Sequence, residues 1–271
     1  SSFLPDLNKG QVFQYAHMVI EIILITILAA SFFSACNECI KVISVCVDIY
    51  RAIIPVFFSA VLVTTGNATV AAYYEVVLMM ITVVNTFYKN VFVGIVKMYF
   101  LLIICDMVTG KEQFSKMCEL FQSFVKLGCK TTIAIFAGIG GLKGMINPMS
   151  DSLKKNVVIK GLKLVPVIGS TVDSVSGTLV GAGAIIKNGI GLAGIIVLVT
   201  VCMIPVLKLV VISLLYKITA AVIEPIAGKK LVKVVNSTGV AIGMLCLIDI
   251  VVLTLFVLML AIICIATNIG G

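Results

Sequence analysis

Charge is scarce in this chain: 12% of its 271 residues are Asp, Glu, Lys or Arg, against 61% that are hydrophobic. Soluble domains carry about a quarter charged residues and about half apolar ones. So few charged side chains leave most of the Leu, Ile, Val, Phe and Ala without polar cover, which excludes a soluble enzyme, a nucleic-acid reader and a disordered scaffold. Histidine is scarcer still. His17 is the only one, so Cys36-Asn37-Glu38-Cys39 has neither a second cysteine pair nor histidines with which to build a metal or redox site. A serine-protease arrangement lacks its bases, HExxH is absent, and no phosphate-binding GxxxxGK[ST] occurs. No enzyme, metal or cofactor is expected.

What is present is apolar sequence in long runs. Lipid must be the solvent, and every backbone polar group must be satisfied within the chain, so helices or a closed barrel are required. The runs far exceed the roughly 10 alternating residues of a barrel strand. The expected fold is therefore an all-α polytopic membrane protein with about 6–8 hydrophobic helices, including short or re-entrant arms. Apolar stretches lie near 12–35, 51–65, 68–88, 90–108, 128–147, 164–186, 189–224 and 236–268. The 51–65 run is short for a crossing, and the last two are long enough to tilt or kink. Segments 37–50 and 111–127 have helical amphipathicity and are expected along the membrane interface. In the second, Phe114, Met117, Cys118, Phe121 and Val125 share one face, and Lys116, Glu119, Gln122 and Lys126 the other.

The net charge of +8 concentrates in residues 111–163, where nine lysines face Glu112, Glu119 and Asp151. In a membrane protein this marks loops on the cytoplasmic side or on anionic headgroups, not a nucleic-acid partner. The denser lysines at 148–163 place that stretch in the cytoplasm, with the 111–127 helix and the N-terminus outside. Cys46, Cys105, Cys202, Cys246 and Cys264 fall in or beside apolar runs, where a thiol acts as a small hydrophobe, so no disulfides are expected. The chain opens on Ser1-Ser2 with no secretory leader pattern, so a signal peptide is expected to have been removed or to lie outside this sequence.

The chain resembles itself at an offset of 111 residues. Pro55-Val56, Ser59, Val61, Gly66 and Ala71 recur as Pro166-Val167, Ser170, Val172, Gly177 and Ala182. Lys97 recurs as Lys208, and Gly128 as Gly239. Matched Pro, Gly and intramembrane Lys in one register imply an internal duplication: a single membrane domain over 1–271, with repeat units 12–122 and 123–235 and a final helix 236–268. Pro55 and Pro166 are expected at helix starts or kinks.

Two polar tips stand inside the apolar context. The first holds Thr64, Thr65, Gly66, Asn67 and Thr69; the second holds Ser170, Asp173, Ser174, Ser176, Gly177 and Thr178. Either they are discontinuous helices lining a polar path to an ion or solute, or they are close helix contacts through Gly177-x-x-x-Gly181 with Asp173 as a cap or ion-pair partner. Intramembrane charges need partners or water. Lys187 aligns with the neighbour of Glu75, so these two form a candidate ion pair, with snorkelling as the alternative for Lys187; Lys97 and Lys208 are expected to snorkel. His17 and Glu21, at i and i+4, have the spacing of a proton relay but lie where water reaches.

The C-terminal half carries a resemblance. Val165-Pro166-Val167-Ile168-Gly169 followed by Asp173, Lys187-Asn188-Gly189-Ile190-Gly191-Leu192-Ala193-Gly194, Pro205-Val206-Leu207-Lys208, Tyr216 to Gly228 and Ala266-Thr267-Asn268-Ile269 resemble the stage III sporulation protein AE family of endospore-forming Firmicutes. The first half matches mainly in its pattern of spans and in Ile53-Ile54-Pro55. The resemblance implies a multi-pass subunit of a secretion-like channel complex in the mother-cell membrane surrounding the forespore. Its implied partners are other membrane subunits and a secretion-type ATPase of the same complex. It supplies no catalytic motif. A solute permease or pore built from two repeats with polar tips is the alternative.

Overall fold

Long runs of Leu, Ile, Val and Ala interrupted by few helix breakers give long helices, and α1 (Lys9–Thr65) runs for 57 residues, or ~85 Å at the α-helical rise. The computed structural model describes residues 9–65, 67–110, 113–146 and 169–268. α2 (Asn67–Thr86) continues through a π-helical turn (Phe87–Phe92) into α3 (Val93–Thr109), and residues Thr86 and Val93 at the junctions keep helical dihedrals, so the three form one rod. α4 (Ser115–Ile146), α5 (Gly169–Ile223) and α6 (Lys229–Asn268) complete the bundle. Among the described residues, four stretches are long and apolar enough to cross a membrane: Met18–Ser59, Val77–Thr109, Gly189–Ile223 and Lys229–Ala261.

Several expected segments merge. The 37–50 stretch is not a separate interfacial helix but the middle of α1, where Cys39, Val42, Ile43, Cys46, Val47 and Tyr50 are buried in the core. The short 51–65 run is the end of the same helix, and α1 continues past Pro55 even though proline cannot donate a backbone hydrogen bond. Likewise the 164–186 and 189–224 runs meet in a single helix from Gly169 onward, with Pro205 inside it. Pro166 lies outside the described residues. Gly66, between α1 and α2, lies outside the described residues, while its counterpart at the 111 offset, Gly177, lies within α5. The 128–147 run belongs to α4, which is not among the four candidate spans.

Pairwise contacts fix the register. Cys39 Sγ reaches the Leu245 carbonyl at 3.7 Å and the Tyr50 hydroxyl donates to the Phe256 carbonyl, a constant separation of 206 that makes α1 and α6 parallel. Glu38 with Lys208 and Cys46 with Cys202 run in opposite senses, so α5 is antiparallel to α1. α6 is central and touches α1, α3, α4 and α5. Its most extensive partner is α5, and the reason is small residues: in lipid, helices associate by close packing, not by hydrophobic expulsion. Gly239-x-x-x-Gly243 of α6 lies on Ser213, whose Oγ donates to the Gly239 carbonyl at 2.8 Å.

The π turn has a packing consequence. Its widened backbone, closed by the Val93 amide on the Tyr88 carbonyl, stacks Tyr88 on Phe92 at 4.8 Å and buries both rings. Phe92 then fills the space over Gly128 of α4, where a Cβ would come within 2.6 Å of its ring. On the outside, α5 shows Val197, Val201, Ile204, Leu207, Val211, Leu215, Ile218 and Val222 at helical spacing, an apolar wall fit for lipid.

Candidate functional site: a lysine-lined pocket where the spans end

The site grows from the α3–α4 corner. α3 stops at Gly110, which takes the left-handed conformation at φ 69° and donates to the Asp106 carbonyl at 3.1 Å, the usual way for glycine to end a helix. The Asp106 carboxylate then serves the next helix: its Oδ1 accepts the backbone amides of Gln113 and Phe114, both at 3.1 Å. One residue thus ties the end of α3 to the approach of α4, where the helix dipole favours a negative charge. α4 folds back antiparallel, and Gln122 Nε2 donates to the Tyr99 hydroxyl at 2.9 Å.

α6 supplies the cations. After the Glu224-Pro225-Ile226-Ala227-Gly228 turn, the first helical turns carry Lys229, Lys230 and Lys233 against α3 and α4. Lys233 Nζ donates to Ser115 Oγ at 3.2 Å. Lys230 occupies the space over Gly110, where a Cβ would lie 2.7 Å from its Nζ. Together these residues enclose a cavity of about 560 Å³ with Ile103, Met107 and Val234 as apolar lining and Ser115, Gln122, Ser237 and the Tyr99 ring and hydroxyl as polar lining. A second cavity of about 430 Å³ shares Lys229 and Lys233 and adds Lys217 and Glu224. Cys118 borders the first. Burial raises its pKa, the Asp106 carboxylate raises it further, and Lys233 lowers it, so the thiol stays protonated and unreactive at neutral pH. Burial also pushes the Cys129 thiol, farther along α4, up to about 11.

A second polar feature lies in the core. Asp249 of α6 is fully buried and neither carboxylate oxygen has a hydrogen-bond partner by geometry among the described residues. Around it stand buried thiols from three helices: Cys39 and Cys46 of α1, Cys202 of α5 and Cys246 of α6, with Cys46 and Cys202 sulfurs 3.4 Å apart. Among the described residues no group of three His, Cys, Asp or Glu side chains has the arrangement of a metal site. The Cys36 and Cys39 thiols of the CxxC are both buried.

The sequence-expected residues fall elsewhere. Thr64 and Thr65 end α1, Asn67 and Thr69 open α2, and Gly66 between them lies outside the described residues. Ser170, Asp173, Ser174, Ser176, Gly177 and Thr178 belong to the backbone of α5's first turns, with side chains outside those described. Glu75 is exposed on α2, while the Lys187 side chain is likewise outside the described set, so their pairing is undescribed. Lys97 is half-buried on α3. Lys208 does not stand alone: its Nζ lies 2.8 Å from Glu38 Oε1, linking α5 to α1 within two candidate spans. On α4, Gln122 is drawn inward by Tyr99 and Met117 is exposed, the reverse of their expected faces. Sequence reasoning missed the pocket, although Lys229-Lys230-x-x-Lys233 directly after a Pro225-x-x-Gly228 turn was its legible signal.

Comparison with known proteins bears on the whole bundle. The chain is 23% identical to stage III sporulation protein AE of Bacillus subtilis (strain 168) over 224 residues, covering 82% of this chain and 56% of that protein. It therefore spans about half the length of the curated relative that it matches. No solved structure matches. The family model described as stage III sporulation protein AE matches residues 2–267, which takes in every helix from α1 to the last turn of α6. With a match that runs from end to end of the bundle, the chain belongs to the stage III sporulation protein AE family.

Proposed function

We propose that this chain is a multi-pass membrane subunit of the secretion-like channel complex that connects mother cell and forespore in sporulation. It resides in the mother-cell membrane surrounding the forespore, beside other membrane subunits and a secretion-type ATPase of the same complex. The carrying observation is the family match over residues 2–267 on a chain whose described residues include four helices fit to cross a membrane. The interior supports a subunit that scaffolds over a permease acting alone. Besides thiols and tyrosines, the described buried polar side chains are Ser213, Thr238 and Asp249, set among close-packed apolar residues. That filling suits a rigid packing unit more than a solute path. In this reading the subunit catalyses no reaction, holds no cofactor and binds no nucleic acid.

The test is isolation of the tagged full-length protein from sporulating cells in mild detergent. The expected result is co-isolation of the secretion-type ATPase and the other membrane subunits in fixed ratio. Isolation of the protein alone, together with solute flux when it is reconstituted in liposomes, would establish the permease reading instead.

A further inference from the structure

We infer that the cavity between α3, α4 and α6 is a binding site for the phosphate headgroup of an anionic phospholipid. The first observation is depth. The candidate spans of α3 and α5 end at Thr109 and Ile223, and that of α6 begins at Lys229. These three spans thus share a boundary at this level, which puts the cavity where headgroups lie. The second is charge. Lys229, Lys230 and Lys233 line the cavity against two carboxylates, Asp106 and Glu119, so its lining carries a net positive charge. That positive charge is what the cavity offers to a ligand.

The third observation is the mixed lining. Ser115, Ser237 and Gln122 provide polar groups for a phosphate or glycerol oxygen, while Ile103 and Met107 are apolar. Beside the cavity, Val108, Met117 and Leu120 are exposed on α3 and α4, apolar surface on which acyl chains can rest. A free inorganic anion would have no use for that surface. Gly110 completes the device, because any side chain there would displace Lys230.

The experiment uses the full chain purified in neutral detergent and measures retention of phosphatidylglycerol and phosphatidylcholine by native mass spectrometry. Phosphatidylglycerol should bind the more tightly, and Lys229→Gln/Lys230→Gln should weaken it by about fivefold per lysine. Lys126→Gln/Lys130→Gln, exposed on α4 and outside the cavity lining, should change it by less than about twofold, with helicity by circular dichroism unchanged in both. Equal retention of the two lipids by the unmodified protein would overturn the inference, whatever the variants do. So would an equal loss in the Lys126/Lys130 variant, which would indicate unspecific charge. Displacement of the lipid by millimolar soluble glycerol phosphate would overturn the lipid assignment in favour of a free-phosphate site.

Discussion

Gly239→Leu is expected to prevent the protein from accumulating in membranes as a folded bundle. A Cβ at this position would sit 3.0 Å from Tyr216 Cβ, 3.1 Å from the Ser213 carbonyl oxygen and 3.2 Å from Lys217 Cγ. The first two are rooted in the α5 backbone, so relief requires the helices to separate. Separation would break the Ser213–Gly239 hydrogen bond and the contact at Gly243, whose own Cβ would lie 3.1 Å from Ser213 Oγ. Overpacking by a few atoms costs about 1–3 kcal/mol, and four added carbons at the most extensive helix pair should exceed that range. Gly189→Ala is the control, since nothing lies within 4 Å of a Cβ there. Unfolding in mixed detergent should show Gly189→Ala near the parent and Gly239→Leu without a cooperative transition. A parent-like transition for Gly239→Leu would contradict the α5–α6 packing.

The second large effect concerns Glu38 and Lys208. Both lie within candidate spans, with side-chain exposures of 26% and 53% toward what would be lipid rather than water. Glu38→Gln leaves the ammonium group without its counter-charge, and an isolated Lys costs about 2.5–3.5 kcal/mol at the centre of a bilayer, less toward its edge. Lys208→Met removes the remaining cost, so Glu38→Gln/Lys208→Met should recover most of the stability lost in Glu38→Gln alone. The same cycle in which Glu38→Gln behaves like the parent would mean that Lys208 reaches headgroups by itself, the snorkelling expected from sequence alone.

This pair shows where sequence reading stopped. The end of α5 was legible to within a residue, because the apolar run at 189–224 stops where the helix does at Ile223, and α6 followed from 236–268 with only its lysine-rich first turns left out. The 37–50 stretch was misread because its apolar stripe, Cys39, Val42, Ile43, Cys46, Val47 and Tyr50, has the period that suits either an interfacial helix or a core-facing one. What decides is the presence of α5 and α6 against that face, and periodicity carries no information about partners. The polar stretch at 169–178 admitted either a discontinuous helix or a close helix contact because Gly, Ser and Thr dominate it; α5 runs through it, since such residues are tolerated in membrane helices. Asp249 and Lys208 were both visible as costly charges, but Glu38, the partner of Lys208, is 170 residues away in sequence, and most of the thiols around Asp249 come from other helices. The pocket was invisible for the same reason: Asp106, Gln122 and Lys230 meet only once α3, α4 and α6 are assembled.

The central claim, a sealed bundle that serves as a subunit and not as a solute path, is tested most directly by its own thiols. Cys39, Cys46, Cys202 and Cys246 sample three helices in the middle of the bundle, and all are buried. Native membranes, opened so that both faces are accessible, would be treated with a charged methanethiosulfonate and each cysteine read by mass spectrometry. The account predicts no modification of these four until the protein is denatured, while a Lys126→Cys variant on the exposed face of α4 reacts at once. Modification of Cys39, Cys46 or Cys202 in the native state at the rate of position 126 would reveal water in the core and contradict it.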